Sequence, residues 1–172
     1  MACRTYEWSA NRVRRRMLHL LLLLPLVVLA GCADKESAEG QIRQMIDTAE
    51  SVLEARDLRA ARSLLSDAYR DAAERTKPAL LRLLGGYFLR HKSIHLLLQI
   101  ERIELQDPQR PGVTLYAAMA GQPFADLDAL LALDAALYRF DLELVREQDQ
   151  WRVAAGSWRS ATREDFLGIA RP

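Results

Sequence analysis

The sequence predicts an α+β domain in which three N-terminal helices pack on a four-stranded antiparallel sheet. Two observations carry this. From Gln41 to Phe88 the apolar residues recur every three or four positions, the spacing of helices with one buried face. After His91-Lys92 the spacing drops to two, the signature of half-buried strands, and polar turn segments at 107–112 and 147–150 divide that half of the chain.

The first helix places Ile42, Met45, Ile46, Ala49, Val52 and Leu53 on one stripe, with Arg43, Asp47, Glu50 and Glu54 facing away. Asp57 is positioned to cap a second, short helix carrying Leu58, Ala61, Leu64 and Leu65, which Ser66-Asp67 ends. Thr76 and Pro78 read as cap and first-turn proline of a third helix with Leu80, Leu83, Leu84, Tyr87 and Phe88 on one face. Gly85-Gly86 opposes that helix, since each glycine costs about 1 kcal/mol inside one. The pair is read as letting another backbone approach closely.

In the strand half, Ile94, Leu96, Leu98 and Ile100 share a face, and the change of parity at Ile103 and Leu105 predicts a bulge near Glu101-Arg102. Val113, Leu115, Ala117 and Met119 make a second strand, with Thr114 and Tyr116 on its other face. Gln122 to Asp134 fits either a short helix or an apolar loop over the sheet. Tyr138, Phe140, Leu142 and Leu144 form a third strand, and Trp151 to Trp158 a fourth across a hairpin, before a last helical turn with Phe166 and Leu167.

Ahead of the domain, Arg12, Arg14, Arg15 and Arg16 precede an apolar run from Leu18 to Leu29, the basic and apolar parts of a secretory signal. The run is shorter than the ~20 residues of a spanning helix, and Pro25 interrupts it. A start nearer Val13 would leave a more usual basic head. Leu29-Ala30-Gly31-Cys32 resembles the lipobox of bacterial lipoproteins. That resemblance implies cleavage between Gly31 and Cys32 and acylation of Cys32. It makes 1–31 a signal peptide, 32–40 a lipidated tether and 41–172 the folded domain. Two or more acyl chains hold a protein stably on a bilayer where one does not. By resemblance to the sorting rule of enteric lipoproteins, Ala33 after the cysteine favours the periplasmic face of the outer membrane over the inner membrane.

The removed segment holds Arg4, Arg12, Arg14, Arg15, Arg16 and Glu7, so the 24 Lys and Arg fall to 19 and the 23 Asp and Glu to 22. A slightly acidic product without a basic run makes a poor nucleic-acid partner. Cys3 leaves with the signal and Cys32 takes lipid, so the domain has no disulfide and rests on packing. No cofactor is expected.

Three helices followed by antiparallel strands, ending in Asp149-Gln150-Trp151-Arg152-Val153, resemble the nuclear transport factor 2-like superfamily, which includes the ketosteroid isomerases. The resemblance covers roughly Gln41 to Trp158. It implies a curved sheet wrapped on the helices as a cone, an apolar cavity at the open end, and frequent dimerisation through the sheet. Such a cone hosts enzymes, binding proteins and bare scaffolds, so function has to be read from its lining. The lining candidates are Tyr87, Phe88, Leu96, Leu98, Leu115, Ala117, Phe140, Leu142, Trp151 and Trp158.

His91 and His95 have a zinc-like spacing, but it straddles a helix end and a strand start, so no metal site is assigned. Tyr69, Tyr87, Tyr116, Tyr138 and Asp141 are the residue types that an isomerase of this fold needs. Asp141 nevertheless sits on the polar parity of its strand, and no catalytic residue is assigned. Trp151 and Trp158 have opposite parity and are expected on different sides of the sheet, while Arg139, Glu143, Arg146 and Arg152 are placed as a charge ladder on the exposed face. The leading expectation is a lipid-anchored module that binds a small apolar ligand or an envelope protein, including a second copy of itself. The alternatives are an isomerase, dehydratase or hydrolase working in the cone, and an assembly protein whose cone is filled.

Overall fold

A computed structural model describes residues 37–133 and 135–169. The signal, the Leu29-Ala30-Gly31-Cys32 motif and the tether up to Glu36 lie outside them. Helix α1 (Ala38–Glu54) begins three residues before Gln41, because the Ser37 side chain accepts from the Gly40 amide at 3.1 Å and caps the helix there. Ala38 to Gly40, assigned to the tether from sequence, are its first turn. Helix α2 (Leu58–Ser63) is capped as expected, with the Asp57 carboxylate accepting from the amides of Arg59 and Ala60 at 2.9 Å.

Strand β1 (Leu65–Asp71) was not anticipated: the residues read as the end of a helix enter the sheet instead. Its buried positions include Ser66 and Asp71, and its pairing with the last strand skips between Leu65 and Arg70. A strand that buries polar residues and pairs irregularly has no clean two-residue apolar period to detect. Helix α3 (Lys77–Arg90) runs through Gly85-Gly86 without a break. What lies close to Gly85 is the Leu58 side chain, 3.4 Å from where a Cβ would sit, and not another backbone. Leu83, expected on the buried face, is 48% exposed.

The remaining elements are β2 (His95–Glu104), β3 (Gly112–Ala120), α4 (Leu127–Ala132), β4 (Ala136–Glu147), β5 (Gln150–Ser160) and α5 (Arg163–Ile169). The described residues thus hold five helices and a five-stranded mixed sheet, where three N-terminal helices and four antiparallel strands were expected. The strand order is β1-β5-β4-β3-β2, with β1 parallel to β5 and the other neighbours antiparallel. Two bulges bend the sheet. One lies between Ile100 and Arg102, where the parity change predicted it. The other is at Ala154, where Glu143 pairs with Ala155 but Leu144 pairs with Val153.

Each sheet face carries a core. On the inner face, Ile42, Met45 and Ile46 of α1 pack on Val113, Leu115, Ala117, Leu144 and Trp151. On the outer face, Tyr116, Ala118, Ala120, Leu130 and Phe166 form a second cluster beneath α4 and α5. This explains why β3 is buried on both faces along most of its length.

Edge strand β2 is shielded by two side chains that the helical stripe placed in solvent. The Leu96 amide donates to Glu54 Oε1 and the Leu98 amide to Glu50 Oε2, both at 2.8 Å. The spacings match: four helical residues rise about 6 Å and two strand residues about 6.6 Å, so carboxylates four apart meet alternate outward amides. An edge with its amides occupied is a poor template for another chain. Burial, opposed by the Leu98 hydrogen bond and reinforced by the charges of Glu54 and Asp47, raises the Glu50 pKa above its ordinary value. The folded state therefore holds the Glu50 proton more tightly than the unfolded one, and stability from this group falls as pH rises through the folded value. Glu50→Gln, which keeps an acceptor for Leu98, is expected to gain stability relative to wild type as pH is raised from 4 to 7. Urea titrations at both pH values measure it, and a constant difference would contradict it.

Candidate functional site

The inner face is packed by α1, with a row of half-buried aromatic side chains beside the packed part. At the end where α1 begins, Leu115, Ala117 and Trp151 lie in the core, and Leu98, Phe140 and Leu142 pack against it, half-buried. Phe88 and Leu96 are buried with Ile94 in a separate cluster, against which Tyr87 packs. Six of the ten lining candidates thus belong to one packed mass with α1, and Phe88, Leu96 and Tyr87 to a neighbouring one, because the apolar stripe of α1 occupies the inner face of the sheet.

Adjoining that mass, and sharing Phe140 with it, runs a row of half-buried aromatics. Trp158 and Phe140 are 6.1 Å apart between ring centroids, and Phe140 and Tyr138 are 6.3 Å apart. Tyr87 closes the row from α3: burial, with the neighbouring Tyr138 phenol, raises its pKa, and it stacks on His91 at 4.1 Å. Trp158 belongs to this row through the Ala154 bulge. The extra residue restores Trp158 to the face of Trp151, with Trp158 opposite Phe140 and Trp151 opposite Arg146, so the two tryptophans share a face where simple alternation had separated them.

The far end of the row is held by a polar cluster that no periodicity of the chain announces. Arg75, in the loop between β1 and α3, lies over the Trp158 ring at 4.5 Å. Its Nε donates to Asp71 Oδ2 at 2.6 Å, and Asp71 Oδ1 accepts from the amides of Ala73 and Arg75 at 2.9 Å. The Asp71 side chain has no exposed surface. Burial pushes its carboxyl upward, but the Arg75 guanidinium and the two amides outweigh that and hold it below the usual range. Beside it, Tyr69 is buried, and burial together with the Asp71 charge pushes its phenol up to about 12. Gly156 makes room for this cluster, since a Cβ there would stand 3.0 Å from Leu142 Cδ2 and 3.9 Å from the Tyr69 hydroxyl.

Asp141 is on the outer face, away from these rings. It accepts from Thr114 Oγ1 at 2.9 Å and from Arg139 Nη2 at 3.1 Å, and the Arg139 hydrogen bonds, against a smaller effect of burial, hold its pKa below the ordinary range. A carboxylate stabilised in its charged form is a weak base at neutral pH. Tyr116 receives a hydrogen bond from Arg139 Nη1 at 3.2 Å on the same outer face. The geometry therefore brings none of Tyr69, Tyr87, Tyr116 and Tyr138 together with Asp141 at the aromatic row.

The charge ladder divides similarly. Arg139 pairs with Glu101 and Asp141, Glu143 with Arg110, and Arg152 with Glu147. Arg146, of the other parity, lies instead over the Trp151 ring at 5.7 Å. Between the ends of β1 and β2 the outer face forms an open, largely acidic groove of about 680 Å³, lined by Asp71, Glu74, Glu104, Asp107, Asp141 and Glu143 with Arg70 and Arg110. His91 is committed to Tyr87, while His95 Nε2 lies 2.9 Å from Ser93 Oγ. The zinc-like spacing thus ends in two separate local contacts.

No family model matches the chain, and no curated protein matches it. Among solved structures, a provisionally named dehydratase of the nuclear transport factor 2-like family from Streptomyces avermitilis aligns with a TM-score of 0.55 at 13% identity, over 71% of this chain and 94% of its own. A nuclear transport factor 2-like protein of unknown function in nutrient uptake from Rhodospirillum rubrum aligns with a TM-score of 0.53 at 18% identity, over 70% of this chain and 98% of its own. Bd1075 of Bdellovibrio bacteriovorus gives 0.57 at 8% identity over 71% of this chain, which spans only 40% of that longer protein. At such identities the likeness concerns architecture alone, and it agrees with the helices and bulged sheet described above: the chain carries a nuclear transport factor 2-like fold.

Proposed function

We propose that this protein is a lipid-anchored module of the bacterial cell envelope, facing the periplasm from the outer membrane, that binds a small apolar ligand without transforming it. The observation that carries the binding reading is the row Trp158, Phe140, Tyr138 and Tyr87, four aromatic rings left half-buried where the rest of the inner face is packed by α1. Flat apolar surface flanked by a few polar groups is how small-molecule sites are built. The anchor rests on Leu29-Ala30-Gly31-Cys32 and the basic-apolar run before it. A tether this short would keep the domain close to the membrane surface. An envelope protein or a second copy of the chain remains the other class of partner.

Cys32→Ser is expected to abolish acylation and cleavage between Gly31 and Cys32, so that the chain keeps its apolar leader and carries no acyl mass. Intact mass measures both. A variant that is still processed would overturn the anchor. The second reading, a dehydratase or isomerase, is favoured by the Streptomyces avermitilis neighbour's provisional name. It would need a base other than Asp141 or Asp71, whose pKa values are both held below the ordinary carboxylate range and which are therefore weak proton acceptors.

A further inference from the structure

Arg75 has the features of a receptor for an anion at the edge of the aromatic row. Its guanidinium carbon lies over the Trp158 ring, 4.5 Å from the centroid, and its Nε is tied to the fully buried Asp71 carboxylate at 2.6 Å. Asp71 is in turn fixed by two backbone amides, so the guanidinium plane is set before any ligand arrives. The Nη1 and Nη2 groups make no hydrogen bond or ion pair with the described residues, and the side chain is 39% exposed. A guanidinium presents its two Nη groups as a fork that matches the two oxygens of a carboxylate. Beside that fork stands the Trp158 ring, and Phe140 follows at 6.1 Å between ring centroids.

We propose that the Arg75 fork is the anion anchor of the aromatic row, and that the ligand is a small monocarboxylic acid with a flat apolar body. This rests on the row being the ligand site. The body lies against Phe140 and Tyr138, and the carboxylate accepts from both Nη groups. A single negative charge fits better than two, because the Arg75 charge is already shared with Asp71 and a dianion would face that carboxylate across one cation.

The test uses the full chain in dodecyl maltoside micelles and two probes of one shape, para-fluorocinnamate and its neutral amide, para-fluorocinnamamide, followed by fluorine NMR against micelles alone. Charge-assisted hydrogen bonds lead us to expect the carboxylate to bind at least about tenfold more tightly than the amide. The variant is Asp71→Asn with Arg75→Gln, which removes both charges together and leaves an acceptor for the Ala73 and Arg75 amides. It should erase that preference, bringing the carboxylate and the amide to equal affinity. Equal affinities in wild type, or a preference that survives in the double variant, would overturn the anchor and leave the aromatic site standing. Amide binding alone reports on that site. If neither probe binds, the site and its anchor are both overturned.

Discussion

Arg75→Ala is expected to cost about 2–3 kcal/mol of unfolding free energy, because it leaves the Asp71 carboxylate without its counter-charge while water reaches the pair through the 39% exposed arginine side chain. Loop residues between a strand and a helix usually tolerate truncation, so a loss of this size would single out the contact. Asp71→Asn with Arg75→Gln should lose far less, since removing both partners strands no charge. The pH dependence follows from the same pair. Asp71 has a folded pKa below its unfolded value of 3.8, so its stabilisation is in full effect above that value and disappears as pH falls through the folded one. Chemical denaturation of the two variants at neutral pH, and of wild type toward pH 2, measures these effects. Equal losses in the single and double variants would show that the charge pair is not the source.

Phe166→Ala is expected to cost about 3–5 kcal/mol, as much as a large truncation in a central core. Phe166 sits on α5, a seven-residue helix that would not persist on its own. Its side chain is nonetheless fully buried, edge-on to Tyr116 at 5.6 Å and packed in the cluster with Leu130 and Ala118. This ring is the fully buried side chain of the helix, and it covers the outer face of β3. Loss of helicity confined to 163–169, with the unfolding midpoint unchanged, would mean that the outer cluster is decoration and not core.

Much of the fold was legible in the sequence where one face is apolar and the other polar. The stripe of α1, the Asp57 cap and the parity change at Glu101-Arg102 all rest on such contrasts. Legibility failed where polar side chains do structural work inside the protein. Strand β1 buries Ser66 and Asp71, and Ser66 Oγ donates to Glu147 Oε1 at 2.6 Å, so its pattern looks like the frayed end of a helix. Lys77 is buried too, donating to the Leu65 carbonyl at 2.7 Å, and ties the start of α3 to that strand.

The candidate site was half legible. Tyr87, Phe140 and Trp158 were named as lining residues, but alternation alone cannot register a bulge at Ala154, which is what returns Trp158 to the face of Trp151. Arg75 was invisible because its role depends on a carboxylate four residues earlier and a ring 83 residues later, two contacts that no periodicity encodes. The Asp71 turn around Ala73 and Arg75 is the one local clue, since a carboxylate accepting from amides two residues on is how such loops are fixed.

The account depends most on what is attached to Cys32 and what is carried beside the rings of the inner face. Native mass spectrometry of the protein extracted from membranes measures both at once. The account predicts a chain that begins at Cys32, heavier than its sequence by two or three acyl chains, and a small organic acid released when the fold is dissolved. A chain with an unmodified cysteine, arriving with no small molecule, would contradict it.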